Sequence, residues 1–167
     1  LKEVGISKPT LIQEKAIPLI HSGKDVIGRS NTGSGKTLAF GVPILEKVKP
    51  REGIQVLILA PVRELAVQIA QELKKFGKYM DFQVATVFGG VALGPQVDEM
   101  AASEIVVGTP GRVLDHLNRR NMDFTKINCF VLDEADKMVE MGFIEDVEEI
   151  LNFTPEGRQV LLFGATV

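Results

Sequence analysis

The chain is poor in the residues that build disulfides, metal centres and base-stacking surfaces: one cysteine, no tryptophan, one tyrosine and two histidines occur among 167 residues. A lone cysteine excludes an internal disulfide framework. Cys129 lies in the apolar run Cys129-Phe130-Val131-Leu132 and reads as a buried structural thiol rather than a reactive one. That fits an intracellular, cytoplasmic setting, with the nucleus still open. His21 and His116 fall in helical stretches without a second His, Cys or carboxylate at ligand spacing. Both read as surface or helix-end residues, and no zinc site is implied. Tyr79 and the scattered Phe residues read as packing groups rather than as a platform for stacked bases. Positive charge is not in excess either. The formal net charge is -3, so no global field draws polyanions, and any nucleic-acid site has to be local. No apolar run approaches the roughly 18 residues that cross a bilayer, and the N-terminus lacks the basic-then-apolar order of a signal peptide. The chain opens on Leu1 rather than Met and reads as a piece excised from a longer protein.

The remaining composition is that of a folded domain: 45% hydrophobic, 25% charged, with 16 Gly and 8 Pro. The length suits one compact domain over residues 1–167 with a full core. Short apolar, β-branched runs at 25–28, 55–60, 83–88, 104–107, 129–132 and 160–163 read as buried strands. Between them, 10–20, 35–48, 63–77, 110–119 and 143–151 carry helical spacing. Alternation of this kind predicts an α/β fold with a mostly parallel central sheet, helices on both faces, and ligands at the carboxyl ends of the strands. Residues 49–53 and 121–125 read as surface loops. The acidic cluster Glu145, Asp146, Glu148 and Glu149 reads as the solvated face of a helix.

The strongest chemical signal follows the first strand. In Ser30-Asn31-Thr32-Gly33-Ser34-Gly35-Lys36-Thr37 the glycines let backbone N–H groups turn toward one point, and the helix opening behind them adds its partial positive charge. Thr32, Gly33, Ser34 and Gly35 would cradle phosphates, Lys36 would reach the β- and γ-phosphates, and Thr37 would offer its hydroxyl to Mg²⁺, as in a P-loop nucleotidase. Ser30 stands where the usual pattern opens with glycine. A plain strand-to-helix turn would leave Lys36-Thr37 unexplained. About a hundred residues on, Asp133-Glu134-Ala135-Asp136 leaves the apolar run 129–132. Asp133 would hold the Mg²⁺ shell, Glu134 would orient and help deprotonate an attacking water, and Asp136 would orient its neighbours. The alternative is an N-cap cluster for the next helix, which Asp136 could also serve.

The acidic tetrad spells the name of the DEAD-box RNA helicases, and the chain resembles their first, N-terminal RecA-like domain over nearly all its length. Gly5-Ile6-Ser7-Lys8-Pro9-Thr10-Leu11-Ile12-Gln13 is similar to the family's Q motif, which implies that Gln13 pairs with the adenine edge and selects ATP. Read without the family, Thr10 to Gln13 is equally a capping box. Pro61-Val62-Arg63-Glu64-Leu65-Ala66 resembles motif Ia, Gly89-Gly90 the family's glycine pair, and Thr109-Pro110-Gly111-Arg112 motif Ib. The resemblance implies that Arg63, Gly89, Gly90, Thr109, Gly111 and Arg112 line an RNA groove. Physically, Thr109 can N-cap, Pro110 suits the first helical position, and a helix N-terminus with Arg112 can receive a phosphate. Such contacts grip sugar-phosphate backbone and are salt-sensitive. Read alone, these segments are also ordinary caps and turns. Val62 stands where the family has Thr. Gly164-Ala165-Thr166 stands where it has Ser-Ala-Thr, the motif that links hydrolysis to strand separation.

The resemblance therefore implies an ATP-dependent RNA helicase core using ATP and Mg²⁺. It also implies a second RecA-like domain of the same polypeptide that supplies an arginine finger and half of the RNA clamp. Alone, residues 1–167 are expected to be monomeric, unattached to membrane and nearly inactive. Two alternatives stay open: another P-loop nucleic-acid translocase such as a DNA helicase, or an RNA- or protein-binding module whose nucleotide site is weakened by Ser30, Val62 and Gly164.

Overall fold

The computed structural model of the chain describes Ile20, residues 22–29 and residues 36–165, with Lys36 described by its backbone alone. Within those residues, one helix follows each of the first four strands and two helices lie between the fifth and the sixth. In chain order they are β1 (Val26–Arg29), α1 (Lys36–Lys47), β2 (Val56–Leu59), α2 (Arg63–Phe76), β3 (Val84–Val87), α3 (Leu93–Ala101), β4 (Ile105–Gly108), α4 (Pro110–Asn118), β5 (Cys129–Leu132), α5 (Ala135–Glu140), α6 (Ile144–Asn152) and β6 (Gln159–Gly164). The strands form one sheet in the order β1-β6-β5-β2-β4-β3, and every pairing is parallel. All carboxyl ends therefore share one edge.

Side-chain alternation along each strand feeds two cores. Val56 and Ile58 of β2, Ile105 and Val107 of β4, Cys129 and Val131 of β5, and Leu161 and Phe163 of β6 pack with Phe40 and Ile44 of α1 and Ile69 and Leu73 of α2. On the opposite face Leu57, Leu59, Val106 and Phe130 pack with Met100, Val113, Leu117, Met138, Val147 and Ile150 from α3 to α6. Helices thus cover both faces. β2 is buried along its whole length, as a central parallel strand requires. In α2 the buried residues Ala66, Ile69, Ala70 and Leu73 recur at helical spacing, which fixes the face it turns to the sheet. Each fully buried Leu or Ile contributes about 1.5–3 kcal/mol relative to exposure. Gly108 ends β4 where no side chain fits: an added Cβ would lie 2.6 Å from Val113 Cγ2 and 2.7 Å from the Val87 carbonyl oxygen.

The expected strands all form, trimmed or extended by a residue or two, and so do the helices expected at 35–48, 63–77, 110–119 and 143–151. The helix expected at 10–20 lies outside the described residues except for Ile20, which is helical and buried. The helix α3 has no counterpart in the sequence reading, and α5 figures there only as the helix that an N-cap reading of the acidic tetrad requires. Cys129 is buried, and desolvation pushes its thiol up to about 12. Glu145, Glu148 and Glu149 are exposed on α6 as expected. Among the described residues no helix is long and apolar enough to cross a membrane.

Two expectations are corrected. His116 does lie at a helix end, in the last turn of α4, but it is fully buried rather than at the surface. It occupies the inward stripe of α4 with Pro110, Val113 and Leu117, and burial is tolerable because Gln96 and Asn121 meet both ring nitrogens. Tyr79 is not a packing group: it is 74% exposed in the turn after α2, where the chain has left the sheet and offers no core to enter.

Candidate functional site

The shared carboxyl edge gathers the chemistry into two neighbouring stretches. Over β1, β6 and β5 lie the start of α1 with Thr37, the turn after β5 with Asp133 and Glu134, and the end of β6 with Gly164 and Ala165. Only β6 separates β1 from β5, so at ordinary strand spacing the ends of those strands lie roughly 10 Å apart. The register brings Leu132 opposite Leu162 and Arg29 opposite Gly164. Arg29 Nε donates to the Ala165 carbonyl (3.2 Å), tying the end of β1 to the turn that leaves β6.

Asp133 is wholly buried and Glu134 is 8% exposed. The Asp133 amide extends the sheet by one bond, donating to the Leu59 carbonyl at 2.9 Å. Its Oδ1 accepts the Glu134 amide N–H at 2.9 Å. Glu134 itself is left-handed, with φ 53 and ψ 49, and occupies the N-cap position of α5 without a side-chain capping bond. A non-glycine residue in this conformation costs about 1–2 kcal/mol. Helix capping does not explain that cost, because the Glu134 carboxylate makes no capping bond. Asp136, weighed earlier as a cap, lies one residue inside α5. Lys137 Nζ, itself exposed, approaches the largely buried Glu134 Oε2 at 3.7 Å. A buried carboxylate at a strand end, a second carboxylate turned by its own backbone, and Thr37 in the first turn of α1 thus share one edge, while among the described residues no group of three His, Cys, Asp or Glu side chains gathers to hold a metal. Among the residues predicted for phosphate and adenine contact, Gln13, Thr32, Gly33, Ser34, Gly35 and the Lys36 side chain lie outside the described residues, as does Thr166.

The second stretch covers β2, β4 and β3. Arg63 is the exposed first residue of α2, and its guanidinium stands 4.4 Å above the Phe88 ring. Gly89 and Gly90 are exposed in the loop after β3, Gly90 at φ 83. Thr109 bridges β4 and α4, its amide donating to the Val87 carbonyl at 3.0 Å. Pro110 opens the helix as expected, and Thr109 takes the N-cap position, but its hydroxyl makes no capping bond. Gly111 is exposed, and Arg112 donates through Nη1 to the Val91 carbonyl at 2.9 Å and to Gln96 Oε1 at 3.1 Å. All six residues expected to line an RNA groove thus gather at one end of the sheet. Sequence reasoning missed Phe88 beneath Arg63 and Gln96 behind Arg112. Gln96 sits in a helix that itself went unread, so no signal marked it.

A six-stranded, all-parallel sheet with helices on both faces and its acidic turn at the carboxyl edge defines a RecA-like α/β domain. The family model described as DEAD/DEAH box helicase matches residues 10–167, and the chain belongs to that family. It is 48% identical over 169 aligned residues to the DEAD-box ATP-dependent RNA helicase CshA of Bacillus licheniformis, covering all of this chain and 35% of that protein. Among solved structures it resembles a DEAD box protein from the hyperthermophile Methanococcus jannaschii, with a TM-score of 0.97 and 44% identity over 99% of this chain and 46% of that one. It is also similar to a hypothetical ATP-dependent RNA helicase from Sulfolobus tokodaii, with a TM-score of 0.91 and 42% identity over 99% of this chain and 49% of that one. The chain thus spans between a third and a half of the relatives it matches.

Proposed function

We propose that residues 1–167 form the nucleotide-binding, N-terminal RecA-like domain of an ATP-dependent RNA helicase, in which ATP hydrolysis drives RNA strand separation once a second RecA-like domain is joined. The observation that carries this reading is the turn after β5. A fully buried Asp133 and a left-handed Glu134 stand on the same sheet edge as the start of α1, with arginines and glycines gathered over the adjoining strands. In this reading Gln13 reads the adenine, Thr32 to Thr37 hold the phosphates, and Lys36 counters their charge. Thr37 and Asp133, partly through water, would hold Mg²⁺, which when bound neutralises phosphate oxygens. Glu134 orients the attacking water and accepts its proton, a role worth about 10²–10⁴ in rate. Arg63, Gly89, Gly90, Thr109, Gly111 and Arg112 grip sugar-phosphate backbone. Asp136 with Gly164, Ala165 and Thr166 transmits the state of the nucleotide site toward that groove. A cytoplasmic location is part of the same reading.

Hydrolysis of ATP by the intact protein, measured with single-stranded RNA, with DNA of the same sequence and with neither, tests it. Stimulation by RNA alone is expected. Equal or greater stimulation by DNA would assign the domain to a DNA translocase. ATP binding no tighter than that of Lys36→Ala would make it a binding module instead.

A further inference from the structure

Gln96, 5% exposed on α3, has no role in the reading above, yet it is the centre of a network that holds Arg112. Its Nε2 donates to the Phe88 carbonyl at 2.8 Å. A carbonyl only accepts, so this bond fixes the amide, and Oε1 must be the atom facing α4. There Oε1 takes two donors, Arg112 Nη1 at 3.1 Å and His116 Nε2 at 2.8 Å. Because Oε1 cannot donate, the imidazole must carry its proton on Nε2, which leaves Nδ1 to accept from Asn121 Nδ2 at 3.1 Å. Each member of the chain is thereby assigned one role. Arg112 Nη1 is also held by the Val91 carbonyl at 2.9 Å. One buried amide thus joins both ends of the loop containing Gly89 and Gly90 to the N-terminal turn of α4: directly at Phe88, and through Arg112 at Val91. Phe88 in turn lies under the Arg63 guanidinium. Among the described residues no hydrogen bond falls on Nε or Nη2 of Arg112, so the fork is braced on one side and open on the other.

We infer that Gln96 is a positioning residue for RNA binding: it sets the Arg112 fork and the glycine loop in one fixed relation, so that both meet consecutive phosphates without first being ordered. This rests on the groove assigned in the proposed function. The gain is entropic as much as enthalpic. A long arginine side chain and a two-glycine loop otherwise lose their freedom at the moment of binding, and bracing them beforehand removes that cost.

The test is affinity of the intact protein, with a non-hydrolysable ATP analogue present, for a fluorescein-labelled oligouridylate. Anisotropy is read for wild type, Gln96→Met, Arg112→Ala, their combination and Arg112→Lys. Met fills the volume of Gln without its bonds, and a loss of about tenfold is expected, in line with hydrogen bonds to a charged group. Affinity for the ATP analogue should be unchanged. Arg112→Ala should weaken RNA binding, and the combined variant should fall well short of the product of the two single losses. Arg112→Lys should bind nearly as weakly as Arg112→Ala, since an ammonium cannot bridge Val91 and Gln96 while presenting a second donor pair. Wild-type affinity for Arg112→Ala would overturn the groove itself. A weakened Arg112→Ala beside a wild-type Gln96→Met, or beside a wild-type Arg112→Lys, or fully multiplicative losses, would overturn the positioning role and leave the groove standing. Should Gln96→Met also lose the ATP analogue through misfolding, Arg112→Lys decides.

Discussion

Glu134 holds a backbone conformation that glycine would adopt at no steric cost, and the strain sits beside a buried aspartate. Stability and activity are expected to part at this position. Glu134→Gly should raise unfolding free energy by about 1 kcal/mol by relieving the left-handed strain, while lowering RNA-stimulated turnover by about 10²–10⁴ through loss of the base. Urea unfolding and steady-state hydrolysis measure the two, and a variant that keeps wild-type turnover would remove Glu134 from the chemistry. His116 gives a second residue-level expectation. Burial first, and then the positive charge of Arg112, hold its pKa below the ordinary 6.5, against a smaller opposing pull from Asp115. The unfolded chain therefore binds a proton at a higher pH than the folded one, and stability should fall as pH drops below 6.5 toward the folded value. Urea midpoints between pH 5 and 7.5 should slope more steeply for wild type than for His116→Gln. Equal slopes would contradict the assignment.

At the scale of elements, the regions legible in the sequence were those with a strong period. Continuous apolar runs marked all six strands, and the spacing of Ala66, Ile69, Ala70 and Leu73 marked α2. The helix α3 was not legible because Gly94 and Pro95 fall in its first turn and read as breakers, although proline is tolerated there. The short α5 was legible only through the N-cap alternative for Asp133-Glu134-Ala135-Asp136, because its six residues are too few to show a period. The burial of His116 at its helix end was not legible because a polar residue on an inward stripe cannot be recognised until its partners, Gln96 and Asn121, are brought to it by the fold. The sites on strand ends were legible because parallel topology puts every carboxyl end on one edge, whereas Gln96, reached only through tertiary packing, was not. Val62 sits at the N-cap of α2 with extended dihedrals and no side chain able to accept a bond. Val62→Thr should stabilise the domain by about 0.5–2 kcal/mol. Thermal unfolding checks this, and an unchanged midpoint would mean the first turn of α2 is already satisfied.

Taken together, residues 1–167 carry a net charge of -3, so the RNA binding proposed for them rests on a few local cations against an unhelpful mean field. The dependence of log Kd on log salt should accordingly be shallow, with Arg63→Ala and Arg112→Ala each reducing its slope by about 0.7, the value for one single-strand phosphate contact. Slopes unmoved by either change would place the groove elsewhere. The sheet order carries the functional argument at this scale. It sets β1, β6 and β5 side by side under the proposed nucleotide site and β2, β4 and β3 side by side under the proposed RNA groove, with β5 and β2 adjacent where the two stretches meet. The most direct test of that arrangement is anomalous diffraction from crystals of the intact protein grown with a non-hydrolysable ATP analogue and Mn²⁺. The account predicts one manganese peak between Thr37 and Asp133, with the triphosphate beside Lys36 and Glu134 facing the terminal phosphorus. A manganese ion and triphosphate bound away from the carboxyl ends of β1 and β5 would contradict it.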